Sequence, residues 1–132
     1  MDIDAVVVAG VTISSTGNTA TDNVASGHER AGFRVRNSFG NALLGNHSQG
    51  NPGEGILLNN GDTNTVERNG SDQNGRDGIH VDAASAGNIL TANTMFGNDV
   101  FDAQDENRAQ NTWTRNRCQT DSPPGTICEN GA

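Results

Sequence analysis

Asparagine returns in this 132-residue chain at a nearly fixed interval, and in more than one column. Asn18, Asn41, Asn64, Asn88 and Asn111 form a first series with steps of 23, 23, 24 and 23 residues. Asn23, Asn46, Asn69, Asn93 and Asn116 repeat those steps, and His28, Asn51, Asn74, Asn98 and Asp121 make a third column. Glycine joins them at Gly10, Gly32, Gly55 and Gly78, each ahead of a short alternating segment. The segments read Val11-Thr12-Ile13, Phe33-Arg34-Val35, Ile56-Leu57-Leu58 and Ile79-His80-Val81, with Phe101-Asp102-Ala103 as the fifth. Alternation at period two marks β-strand, and a unit of this length repeated in register marks a stacked architecture.

Two more columns fill in each unit. Ala20, Leu43, Val66, Leu90 and Trp113 lie two residues past the first Asn, and Ala25, Ser48, Ser71, Met95 and Cys118 two past the second. Each unit thus resolves into three short strands that point a few residues inward, and the next unit stacks about 4.8 Å along an axis. The expected fold is all-β, a parallel β-solenoid of about five to six coils in one domain, 1–132. Within it, 1–9 are an incomplete first coil, 10–117 the repeats and 118–132 a C-terminal cap loop. Asn suits the turns because it tolerates left-handed backbone. Stacked one above another, its amides satisfy polar groups that a thin interior would strand.

Composition gains its meaning from that period. Leu, Ile, Val and Phe number 24, against 17 Gly, 18 Asn and a formal charge of −8, a profile that without the repeat would indicate disorder. In a solenoid the same scarcity belongs to thin coils. A leucine-rich repeat needs several Leu per unit, whereas this chain has five in all and no helical stripe. Asn-Gly at 60–61, 69–70 and 74–75 would suit hairpins, but paired strands do not flank each one. No apolar run approaches the ~20 residues of a membrane span, and Met1-Asp2-Ile3-Asp4 lacks the basic start of a secretion signal. An acidic chain whose basic residues are eight Arg does not read as a nucleic-acid binder.

The two cysteines, Cys118 and Cys128, flank a Ser-Pro-Pro-Gly turn. A disulfide between them would staple the last loop over the final coil and place the chain in an oxidising compartment, extracellular or at the cell surface. The alternative is two buried free thiols.

Gly55-Ile56-Leu57-Leu58-Asn59-Asn60 followed by Asn64-Thr65-Val66-Glu67-Arg68-Asn69 resembles the right-handed parallel β-helix repeat of pectate lyases, polygalacturonases, mannuronan epimerases and phage tailspikes. The tail from Asn111 to Cys128 is similar to the C-terminal coils of secreted bacterial proteins of that type. The resemblance covers residues 10–128 and implies a right-handed helix with a carbohydrate groove along one sheet. It does not carry the family's catalysts over. The chain has no Lys and no Tyr. The epimerases' Asp-Pro-His is replaced by Asp77-Gly78-Ile79-His80-Val81-Asp82, and the polygalacturonases' paired Asp motif is absent.

Two outward columns on the first strand carry the candidate chemistry: Thr12, Arg34, Leu57, His80, Asp102 and Ser14, Arg36, Asn59, Asp82, Gln104. His80, flanked by Asp82 and Asp102, is the candidate acid; Arg34 and Arg36 are candidates to pair with a uronate carboxylate. Ligand-binding candidates are therefore Arg34, Arg36, Asn59, His80, Asp82 and Asp102. Glu54, Asp77 and Asp99 stack at the turn into the first strand, a repulsive arrangement that Arg76, solvent or calcium would relieve. Asp77, Asp99 and Asp102 are the candidate calcium ligands, and calcium is the one candidate cofactor. Asp105-Glu106 reads as a solvated insertion. The function expected is an extracellular module that binds or helps process an acidic polysaccharide and is non-catalytic by itself. The alternatives are a self-assembling scaffold, joined end to end or side by side, and a fragment of a longer lyase or epimerase.

Overall fold

In the computed structural model, which describes residues 3–7, 10–13, 16–28 and 30–129 with side chains from 16 onward, the chain winds through three sheets. The first orders β1 (Ile3–Val7), β2 (Gly10–Ile13), β5 (Phe33–Phe39), β8 (Ile56–Asp62), β11 (Ile79–Val81), β14 (Ala103–Asp105) and β17 (Asp121–Ser122). The second stacks β3 (Thr19–Thr21), β6 (Ala42–Leu44), β9 (Thr65–Glu67), β12 (Ile89–Thr91) and β15 (Thr112–Thr114). The third stacks β4 (Val24–Ser26), β7 (His47–Gln49), β10 (Gly70–Asp72), β13 (Thr94–Met95) and β16 (Arg117–Cys118). Neighbours run parallel, except that β1 pairs antiparallel with β2. The parallel β-solenoid is thus present. Five stacked strands in the second and third sheets give about four turns from first to last, slightly fewer than the five to six coils expected.

Strand pairing corrects one register. Phe33 pairs with Ile56 and Ile56 with Ile79, each 23 residues on, but Ile79 pairs with Ala103, 24 on. The fifth first strand is therefore Ala103–Asp105 rather than Phe101–Ala103. The strand begins two residues later than expected, so its alternation keeps the same phase, but Phe101 and Asp102 now precede it and Gln104 takes the place in line with His80.

The interior follows the columns. Phe33, Val35, Leu43, Ile56, Leu58, Val66, Ile79, Val81, Leu90 and Met95 are fully enclosed, joined by Trp113 and Cys118 at the C-terminal end. Ser48 and Ser71 occupy inward places in the third sheet and give their hydroxyl protons to the Gly55 and Gly78 carbonyls. That contact explains the Gly column. A Cβ on Gly55 would run into the Ser71 hydroxyl and lie 2.6 Å from Asn74 Nδ2.

The asparagines form the ladders expected of them. In the second column the backbone N–H and Nδ2 of Asn46 both donate to Asn69 Oδ1, at 2.8 and 3.1 Å, and those of Asn69 donate to Asn93 Oδ1. The second Nδ2 proton reaches back to a backbone carbonyl of the preceding coil, as from Asn69 to Leu43. Each buried amide is thereby satisfied in both directions, which a thin core requires. The left-handed backbone lies elsewhere than expected. It falls on the residue before each rung: Asp22, Gly45, Arg68, Ala92 and Arg115 in the second column, Gly17, Gly40, Thr63 and Gly87 in the first. Asn serves the ladder through its side chain, and its predecessor makes the bend.

The third column ends on Asp102 rather than Asp121: the Asn98 backbone N–H and Nδ2 donate to Asp102 Oδ1 at 3.2 and 2.9 Å. Asp121 instead opens β17, pairs with Ala103 and gathers the N–H groups of Gly125, Ile127 and Cys128. These bonds fold the last loop over the stack, where Ile127 is buried and the Cys118–Cys128 disulfide closes it.

Candidate functional site

The outward face of the first sheet carries a row set by strand register: Arg34 on β5, Leu57 on β8, His80 on β11 and Gln104 on β14. Thr12 precedes Arg34 in that register; its side chain, and Ser14 altogether, lie outside the described residues. A second row places exposed Arg36 beside Asn59. Arg34 is half-buried, and its Nε is enclosed without a hydrogen-bond partner. Neither Arg34 nor Arg36 forms an ion pair with a described residue.

His80 has different neighbours from those the sequence suggested. Asp77 Oδ2 lies 3.0 Å from Nδ1, Glu106 Oε2 lies 3.1 Å from Nε2, and Glu54 Oε1 stands 4.0 Å from Nδ1. The ring is only 14 % exposed, which makes these contacts count. Burial works to lower its pKa, but bonding to Asp77 and Glu106 and the charge of both outweigh it, raising the value above the usual 6.5. Arg76 Nε is 3.3 Å from Glu54 Oε1. Glu54 and Asp77 are thus countered by Arg76 and His80, the first of them among the agents expected, while Asp99 is exposed to solvent.

Asp82 and Asp102 do not flank the imidazole. Asp82 accepts from Asn59 Nδ2, the Asn60 N–H, the Ser85 hydroxyl and the Ala84 N–H, so it pins the turn after β11. Asp102 is buried, with its second oxygen taking the N–H groups of Gln119 and Thr120. Its outward place in the expected row belongs to Gln104, because of the 24-residue step. Asp105 is likewise buried, accepting from Trp113 Nε1 at 2.7 Å and from Asn111 Nδ2. Only Glu106 of that pair is exposed. The steps of 24 in the Asn columns held the signal for this shift; nothing local marked Glu106 as a partner of His80, 26 residues earlier.

Of the candidate calcium ligands, Asp77 faces His80 and the Phe101 N–H, Asp99 is exposed and Asp102 is consumed by backbone donors. No three His, Cys, Asp or Glu side chains among the described residues are arranged to hold a metal ion. The arrangement sets two arginines and one imidazole flanked by carboxylates on one face of the first sheet. No described helix is long and apolar enough to cross a membrane.

The family described as Periplasmic copper-binding protein (NosD) matches residues 7–124. No curated protein and no solved structure matches. Copper takes thiolate, thioether or imidazole ligands, and the described residues do not converge on such a set. Both cysteines are joined to each other, Met95 is fully buried, the two His80 nitrogens face carboxylates, and His47 Nε2 lies against Gln49.

Proposed function

The chain belongs to the NosD family, and on that premise we propose that it is a β-helix module of the cell envelope or exterior that binds an acidic polysaccharide along its first sheet, without catalysis of its own. The observation that carries this reading is the pair Arg34 and Arg36, which face outward on one strand and form no ion pair with a carboxylate among the described residues. A guanidinium is suited to a carboxylate in forked geometry, and the Leu57 side chain between Arg34 and His80 supplies an apolar step for a sugar ring. The disulfide supports an oxidising compartment, in keeping with the periplasmic description of the family. The copper in that description finds no fitting ligand set among the described residues, and no step of this proposal uses it.

The test is calorimetric titration with trigalacturonate and with a neutral trisaccharide of equal length. Binding of the acidic sugar alone, weakened about tenfold or more in Arg34→Gln/Arg36→Gln, supports the reading. Equal affinity for both sugars, or none for either, overturns it.

A second reading, a scaffold that associates with its own copies, is favoured by one observation. Among the described strands β3 and β4 lie at sheet edges, where backbone groups are suited to pairing, and Val24 on β4 adds an exposed apolar side chain, 72 % accessible. Light scattering at high concentration tests it, since a strict monomer would end it.

A further inference from the structure

The His80 cluster lies on the same face as the two arginines, and it changes charge in a range where they do not. His80 is two strands from Arg34 in one row, about 10 Å at the usual spacing between strands. The charged groups facing its ring come from every adjoining element. Asp77 comes from the turn before β11, Glu54 from the turn before β8, with Arg76 upon it, and Glu106 from the residue after β14. Its row neighbours Leu57 and Gln104 are uncharged. Asp82 is engaged with Asn59, Asn60 and Ser85 on the far side of the strand end.

We propose that His80 is the proton-controlled element of the acidic-ligand surface: with its second proton it offsets part of the charge of Asp77 and Glu106 beside the Arg34–Leu57 row, and without it this end of the row becomes more anionic and repels the ligand. The inference rests on the carbohydrate reading of the same face. The charge count makes the change plain. Asp77, Glu54 and Glu106 carry three negative charges, and Arg76 with a protonated His80 carries two positive ones. Loss of the proton takes the cluster from a net −1 to a net −2 within reach of a bound uronate, because charges about 10 Å apart still interact across one Debye length.

The fold itself need not move. The Glu106 backbone N–H is held by the Val81 carbonyl at 2.9 Å, so that residue stays in place while its exposed carboxylate is released. Burial of the ring and its contacts on both nitrogens place the change above pH 6.5, where Asp, Glu and uronate carboxyls are all ionised. A ligand held in mild acid would be let go as the surroundings become alkaline.

The experiment is titration of the intact chain with trigalacturonate at pH 5.5 and at pH 9, in wild type, His80→Gln and Glu106→Gln. Wild-type affinity should fall about threefold or more between the two. His80→Gln should lose that dependence and bind at both pH values with the weak, alkaline affinity. Glu106→Gln, an exposed change that leaves the fold intact, should bind more tightly than wild type at pH 9. The His28 and His47 rings remain in both variants, so a pH dependence that survives in His80→Gln overturns the inference. Wild-type affinity equal at both pH values also overturns it, while leaving the carbohydrate reading in place. No binding at either pH overturns both.

Discussion

Single residues in this chain divide sharply by which way they face along the axis. Asn69 is buried, receives two protons from Asn46 and returns its own to Leu43 and Asn93. Asn69→Ala would leave the Asn46 backbone donor and the Leu43 carbonyl unmatched in a dry interior, at a cost of about 3 kcal/mol or more. Gln49, whose amide bonds Gln73 at the surface, should tolerate Ala with a change of less than about 0.5 kcal/mol. Urea midpoints of the two variants check the contrast. Thr63 offers the opposite sign. It holds a left-handed φ of 51° at the place where three other coils carry Gly17, Gly40 and Gly87, and a β-branched side chain is poorly suited to that region. Thr63→Gly should raise stability by about 1 kcal/mol in the same assay. The sequence announced the rungs plainly, because side-chain ladders need an amide in each coil. It concealed the bends, because Asp, Gly, Arg, Gln, Ala and Thr all fill them and share no chemistry.

Among the elements, strand length and register were legible wherever the period held at 23 and misread where it lengthened to 24. The shift moved Gln104 into line with His80 and left Asp102 ahead of the strand, buried instead of in the expected outward row. Side-chain alternation cannot reveal such a slip, since a displacement of two residues leaves the same side chains of Phe-Asp-Ala-Gln-Asp on the same face. The cap is a second element with its own energetics. A ten-residue separation closed by Cys118–Cys128 stabilises by roughly 2–3 kcal/mol on a chain-entropy estimate. Cys118→Ser/Cys128→Ser should lose about that amount, with faster amide exchange confined to residues 116–129 if the cap frays alone. Asp121 adds an acid sensitivity. Burial would raise its pKa, but N–H donors from Cys128, Ile127, Gly125 and Thr126 prevail and depress it below 3.8. Its stabilisation is therefore complete above pH 3.8 and is lost as pH falls through the lower folded value. Cap amides should exchange faster below pH 3.8 in wild type, and Asp121→Asn should abolish that change.

At the scale of the whole molecule, stability and the proposed ligand binding share one titrating group. The His80 pKa is raised on folding, so its contribution is fully present below pH 6.5 and disappears as pH rises through the folded value. The urea midpoint of wild type should accordingly fall between pH 6 and pH 9, and His80→Gln should remove most of that fall. The cluster behind this behaviour was only half readable. Glu54 and Asp77 were visible as a stacked column, but Glu106 reaches His80 through the winding of one entire coil.

The direction of the ladders has a consequence for the two ends of the stack. In every column the amide oxygens look toward the N-terminal coil, for each accepts from the rung before it. The columns are therefore polar filaments, and the last rung of each needs a foreign acceptor. Two of the three receive a carboxylate: Asp102 takes the donors of Asn98, and Asp105 takes Asn111 Nδ2. These buried aspartates act as terminators, an anion set at the donor end of an aligned dipole row in the manner of an acidic cap on a helix N-terminus. A coil added at that end would have to displace both carboxylates as well as the stapled loop. The C-terminal pole of the stack is thereby sealed twice, by charge at the ends of two ladders and by a covalent staple across the last loop.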